Sequence, residues 1–370
     1  MHDPATRGNF VSEWFGHRVY PRVAKTRTSL NDQKSHRCPF LTQATKEDTE
    51  CVKPSTSIGI CTISSTSNGP REDWLVCPYR ALDVSLLEIA AQRFFRTRNA
   101  SKLLVTPAPT LARKEIQKAI TEAARSGRGA IVYLQDKLGG EISIPPTDRS
   151  PELAFDITMV EIVGGRDRVG IGRYGILEVQ TMDFHGSYRY VAKNLTDALR
   201  LHAGEFPKAL AQNQTWLSDH IEGPNIANVF KRTFYQIMLK FQIGATESCA
   251  GCILALPESV WDSWQRHLGK PELEGEPSGT YSLLRPGATF SGRRVPAWIL
   301  VFDIDSADSA SPNPIRLLKT IATDADSISY YALKVAPEAA VGREGSAVGL
   351  PAFIRKRLGV WWPELQAPVQ

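Results

Sequence analysis

From residue 81 onward the apolar residues switch repeatedly between helical and strand spacing, and this alternation restricts the chain to a layered α/β fold. Leu82, Leu86, Leu87, Ala90, Ala91 and Phe94 form one helical stripe. A second helix is expected over 110–125, with Thr110 as its cap and Ile116, Ala119, Ile120 and Ala123 inward; Gly127 and Gly129 end it. Ala130–Leu134, Phe155–Val163 and Gly175–Met182 read as strands. Between the last two, 164–174 is rich in glycine, carries Arg166, Arg168 and Arg173, and is expected to be a flexible connection. In the longest helix, Asn225–Phe241, Ile226, Phe230, Phe234, Ile237 and Phe241 make the stripe, while Lys231, Arg232 and Lys240 lie off it. Ile253–Leu256 and Ala297–Ile304 read as short buried strands, Glu258–Leu268 and Asn313–Ala322 as helices, and 271–279 and 306–314 as linkers. The expectation is a mixed sheet flanked by helices.

At 370 residues the chain is long enough for two domains, and 42% apolar with 22% charged residues argues against wholesale disorder. A net charge of +5 permits a polyanionic partner without requiring one. No apolar run approaches the ~20 residues that cross a bilayer, and the start, Met1-His-Asp-Pro-Ala, carries no apolar leader. These features predict a soluble, cytoplasmic protein with no membrane partner.

Residues 1–80 read as a separate domain. The stretch 44–70 is polar, lacks either periodicity, and cannot offset its ordering entropy by apolar burial. Four cysteines lie here: Cys38, Cys51, Cys61 and Cys77, with Cys38 and Cys77 each followed by proline. Disulfides are disfavoured in a reducing compartment. Four thiolates around one metal ion would supply the missing folding free energy, and a closed four-sulfur shell is structural. The alternative is four unrelated thiols, which their concentration in a core-poor segment argues against. Cys249-Ala-Gly-Cys252 has redox spacing, but it follows a helix and enters an apolar run, so burial is the better reading. Gly170-Ile-Gly-Arg-Tyr-Gly175 matches a dinucleotide fingerprint in letters only, because the glycines lead into a strand rather than a helix.

Asp156 and Glu178 each interrupt an apolar strand run. A carboxylate in such a setting costs several kcal/mol unless it is paired or binds a cation. Glu178 and Gln180 project from the same face of their strand. If the two strands pair as a hairpin, Asp156 comes beside Glu178, giving an oxygen-rich site for Mg²⁺ to which Glu141 could add a further oxygen.

Asp156 followed by Glu178-Val-Gln180 resembles the PD-(D/E)xK nuclease core with Gln in place of Lys. Together with the amino-terminal cysteines, Trp14-Phe-Gly16, the Cys-Pro pairs and the 181–188 stretch, the chain is similar to the NotI-type restriction endonucleases over residues 10–190. The resemblance implies a restriction-endonuclease-like mixed sheet flanked by helices over 81–370, preceded by an irregular, metal-stapled domain over 1–80. It implies a homodimer that cuts both strands of double-stranded DNA at a GC-rich palindrome, uses Mg²⁺ and leaves 5′ overhangs. Asp156 and Glu178 would be metal ligands, Gln180 would replace the usual lysine, and Glu141 would be the additional upstream acid. Cys38, Cys51, Cys61 and Cys77 would hold structural iron, with zinc the alternative that spacing alone leaves open. Because glutamine cannot change charge, Lys137 and Lys193 are candidate stand-ins for the lysine. Arg166, Arg168, Arg173, Lys231, Arg232, Arg285, Arg293, Arg294 and Arg355-Lys-Arg357 are candidate DNA contacts, some of them in the carboxy-terminal elements. Two rivals are a repair or junction-resolving nuclease of the same core, and a non-catalytic, metal-stapled DNA-binding protein.

Overall fold

A computed structural model describes residues 8–95, 103–166, 168–275, 279–308, 310–342 and 345–366. Residues 8–80 are not irregular. Strands β1 (Phe10–Trp14), β2 (His17–Arg18), β3 (Ile60–Ser65) and β4 (Glu72–Leu75) form an antiparallel sheet in the order β2-β1-β3-β4. Helices α1 (Arg27–Lys34) and α2 (Pro39–Thr45) lie in the connection between β2 and β3. Every residue of β3 is buried, so this strand carries no two-period alternation, and its signature in the sequence is correspondingly faint.

Buried ion pairs inside this segment are joined to the rest of the chain by hydrogen bonds to Ser311 and Asn313. Arg80 and Glu13 pair at 2.9 Å with both side chains fully buried, and Arg80 also donates to the carbonyl of Asn313 at 2.6 Å. His17 bridges Asp32 and Ser311, each at 2.8 Å.

Helix α3 (Val84–Phe95) follows the expected stripe. After strand β5 (Leu104–Pro107), a 3₁₀ turn takes up Ala108–Ala112, and helix α4 (Lys114–Arg125) begins later than predicted. The hydroxyl of Thr110 bonds to Thr106 and to the carbonyl of Pro107, so it stabilises the turn instead of capping the helix.

Strand β6 (Ala130–Gln135) leads to the small pair β7 (Ile142–Ile144) and β8 (Leu153–Phe155), then to the long hairpin β9 (Ile157–Gly164) and β10 (Val169–Val179). Most of the glycine-rich stretch is therefore strand, not a flexible loop: Gly170 pairs with Val163 and Gly175 with Met159. Gly175 has a packing reason, because a Cβ there would lie 2.5 Å from the Phe94 ring of α3.

Strand β11 (Phe184–Gly186), helices α5 (Arg189–Leu201) and α6 (Phe206–Gln212), strand β12 (Ile221–Pro224) and helix α7 (Ile226–Gly244) follow. Strand β13 (Cys249–Pro257), helix α8 (Glu258–His267), the short strands β14 (Glu274–Gly275) and β15 (Thr280–Ser282), and strands β16 (Ala297–Ile304) and β17 (Ile315–Thr323) complete the sheet. The predicted helix over 313–322 is strand β17, paired antiparallel with β16 from Ala297↔Thr323 to Ile304↔Ile315. Four of its nine residues are β-branched, and the hydrogen-bonding edge of β16 decides the matter.

Among the described residues, nine strands form one mixed sheet in the order β14-β15-β17-β16-β13-β10-β9-β6-β5. Strands β10, β13 and β16 run parallel at its centre. Successive residues alternate between two cores. Ile176, Leu254, Ile299 and Val301 join α5 and α7 on one face, and Leu177, Val179, Ile253, Leu300 and Phe302 join α3 and Cys38, Cys61 and Cys77 on the other. Helices α9 (Ala325–Tyr330), α10 (Ala336–Val341) and α11 (Leu350–Leu358) close the chain. No helix among the described residues is long and apolar enough to cross a membrane.

Candidate active site

The hairpin register brings the two carboxylates together. Leu177 pairs with Ile157, so the next positions outward, Glu178 and Asp156, stand opposite one another on the same face. The contacts are reciprocal: the Asp156 amide donates to Glu178 Oε1 at 3.3 Å, and the Val179 amide donates to Asp156 Oδ2 at 2.9 Å. Both line a cavity of ≈ 250 Å³ with Gln180, Arg232, Thr233 and Gln236. Glu141, on the exposed stretch before β7, does not line this cavity and does not close with Asp156 and Glu178 into a three-carboxylate group, although burial raises its pKa and Asp156 adds to that rise.

Helix α7 supplies what the strands lack. Lys240 Nζ donates to Glu178 Oε2, and the two side chains are 4% and 9% exposed. Lys240 also lies over the Phe155 ring, 5.8 Å from its centroid. Thr233, seven residues and about two helical turns earlier, donates its hydroxyl to Gln180 Oε1, while Gln180 Nε2 donates to the Thr181 carbonyl. Both ends of the Gln180 amide are thereby engaged.

The placement of Lys240 corrects the sequence reading, which put it off the apolar stripe. It lies three residues after Ile237 and four before Gly244, all of them buried. A signal was present: Thr233, Gln236 and Lys240 recur at i, i+3 and i+7, a polar stripe bordering the apolar one. Lys137 and Lys193 do not fill this position. Lys137 pairs with Asp136 at 3.2 Å, and Lys193 pairs with Asp197 on the exposed side of α5.

The electrostatics follow from burial. Glu178 is pushed up to about 8 by desolvation, with Asp156 adding to the rise and Lys240 opposing it. Asp156 is also raised by desolvation, against the Val179 amide and Lys240. Two buried carboxyl groups with one ammonium between them are short of positive charge. Their donor chemistry fits a divalent cation held by Asp156 and Glu178.

Of the four amino-terminal cysteines, Cys38, Cys61 and Cys77 lie in the core on the opposite face of the sheet, whereas Cys51 packs against the other core. The Cys61 thiol donates to the Gly59 carbonyl at 3.4 Å. Its proximity lowers the Cys77 pKa, with Lys53 and the nearby amides of Tyr79 and Arg80 acting in the same direction against burial, while Cys61 itself is raised. Burial pushes the Cys38 thiol up to about 12, and Cys77 and Cys51 add to the rise. Cys38 and Cys77 each stand at the N-cap of a helical turn that opens with proline, but neither sulfur makes a capping hydrogen bond. Among the described residues no three His, Cys, Asp or Glu side chains converge closely enough to be a formed metal shell. Cys249 and Cys252 are buried in β13 with pKa values raised by desolvation, an environment for inert thiols.

The arginines predicted to touch DNA are dispersed. Arg232 lines the carboxylate cavity and pairs with Asp183 at 2.9 Å. Arg166 and Arg168 sit at the far turn of the hairpin, roughly 33 Å along β10 from Glu178 at ~3.3 Å per residue. Arg173, Arg293 and Arg294 line a different cavity.

No protein-family model matches this chain, and no curated protein matches it.

Proposed function

We propose that the protein is a Mg²⁺-dependent, site-specific deoxyribonuclease with a PD-(D/E)xK core, acting as a type II restriction endonuclease. The observation that carries this reading is the buried constellation of Asp156 and Glu178 on adjacent strands with Lys240 against Glu178. A nuclease of this class needs two carboxylates to hold the cation, a cationic side chain in reach, and a neighbouring group to orient water. Asp156 and Glu178 would hold the ion, and Glu141 would add an oxygen at the rim. The bound ion would lower the pKa of water and neutralise charge on the phosphodiester.

Gln180 orients and does not titrate. With its oxygen engaged by Thr233 and one amide hydrogen given to the Thr181 carbonyl, its second amide hydrogen is the donor left for a ligand. Lys240 is the charged group that the Glu-x-Gln pattern lacks: it enters from the helix instead of the strand. Its ammonium keeps Glu178 oriented and offers positive charge beside the scissile phosphate. Arg232, on the exposed side of the same helix, supports backbone binding next to the cavity.

Cutting both strands requires two such sites, and we assign the second to another copy of the chain. The exposed apolar side chains Phe353, Ile354, Leu358, Trp361 and Trp362 offer a contact surface for it. In this reading Cys38, Cys51, Cys61 and Cys77 hold a structural iron or zinc ion that closes on binding.

The test is to incubate the protein with Mg²⁺ and genomic DNA and to sequence the ends. Discrete fragments with a common terminal sequence are expected, and Glu178→Ala should abolish them while leaving DNA binding. A smear or branch-specific cutting would instead indicate a repair enzyme. DNA binding without cleavage under Mg²⁺ or Mn²⁺ would remove the catalytic reading.

A further inference from the structure

At the other end of the central strands, on the opposite face of the sheet, lies a cavity of ≈ 500 Å³ lined by four arginines: Arg93, Arg173, Arg293 and Arg294. They come from three separate segments: α3, the middle of β10, and the loop that enters β16. Arg173 is five residues from Glu178 along β10, roughly 17 Å at ~3.3 Å per residue. Among the described residues no carboxylate lines the cavity.

We propose that this cavity binds a phosphorylated small ligand, at a site separate from the carboxylate cavity. Four guanidinium groups brought to one place repel each other, and an oxyanion relieves that repulsion. Arginine matches such an anion bidentately through its planar fork. Two of the four are held in place from behind. The Arg93 guanidinium lies over the Trp298 ring at 5.1 Å from its centroid, and Arg294 Nη2 donates to the Thr246 carbonyl at 3.0 Å. The second terminal nitrogen of Arg294, Nη1, is buried and has no hydrogen-bond partner among the described residues, so a donor stands ready for an acceptor that they do not supply. The volume falls in the range of small-ligand pockets, about 300–1,000 Å³, and exceeds the needs of a lone phosphate. A nucleotide-sized molecule carrying one or two phosphoryl groups is the class that fits. The proposal stands whether or not Asp156 and Glu178 prove catalytic, because it shares no residue with them.

The experiment is calorimetric titration of the full chain with inorganic phosphate, pyrophosphate and adenosine 5′-diphosphate, against sodium chloride of matched ionic strength. Pyrophosphate and the diphosphate should bind at one site per chain, more tightly than inorganic phosphate. Arg294→Gln should weaken them at least tenfold. Arg293→Gln, at an exposed position where loss of the side chain leaves packing intact, should weaken them in the same direction. Asp156→Asn should bind as the parent does. Absence of binding beyond the chloride control, or equal affinity in parent and both arginine variants, would overturn the proposal. So would binding only by a short DNA duplex that Arg293→Gln weakens, since the phosphate would then belong to nucleic acid.

Discussion

Replacing Lys240 by Met keeps a straight side chain against Phe155 and removes the only cation touching Glu178 among the described contacts. Breaking a buried ion pair commonly costs about 3–5 kcal/mol. A smaller loss is expected here at neutral pH, because Glu178 already carries a proton in the fold and no bare carboxylate is stranded. Glu178 has an ordinary value of 4.5 and is raised to about 8 in the fold. The folded chain thus holds a proton that the unfolded chain has released, and the parent loses stability as pH rises from 4.5 to about 8. Above 8 the parent ionises in both states and its curve flattens. Without Lys240 the folded-state value climbs further, so the variant goes on losing about 1.4 kcal/mol per pH unit where the parent does not.

The two curves should therefore be nearly parallel from pH 5.5 to 7, offset by about 1–3 kcal/mol for the lost charge-assisted hydrogen bond. They should diverge by about 1 kcal/mol more at pH 8.5 and about 2 kcal/mol more at pH 9.5. Urea unfolding in EDTA across that range measures both terms. Curves that remain parallel to pH 9.5 would refute the claim that Lys240 is what allows Glu178 to ionise.

Four further outcomes are expected. Asp156→Asn should lower Mg²⁺-dependent cleavage at least a thousandfold with DNA affinity changed less than threefold, read by gel cleavage and fluorescence anisotropy. Arg80→Met strands Glu13 in a fully buried setting and frees the Asn313 carbonyl, so chemical denaturation should register a loss of about 3–5 kcal/mol. Elemental analysis should find close to one iron or zinc per chain, and Cys77→Ser should release it and increase proteolysis within the first 80 residues. Gly175→Ala puts a methyl group 2.5 Å from Phe94 and should destabilise by about 1–3 kcal/mol in thermal unfolding.

Local pattern determined a good deal of this protein. The stripes of α3 and α7, the apolar runs of β13 and β16, and the hairpin that sets Asp156 against Glu178 are all readable in one dimension, because side-chain period and alternation are local properties. The buried state of Cys249 and Cys252 follows from the same logic. Where the sequence failed, a distant segment decided the outcome. Residues 315–323 became a strand because β16 presented an unpaired edge, and the amino-terminal sheet is tied to remote chain by contacts such as Arg80 to the Asn313 carbonyl and His17 to Ser311. Lys240 sits 62 positions from Glu178, and Arg93 sits 80 positions before Arg173. No periodicity links such pairs; only the packing of helix on sheet brings their charges together, since desolvation and Coulomb attraction act through space and not along the chain.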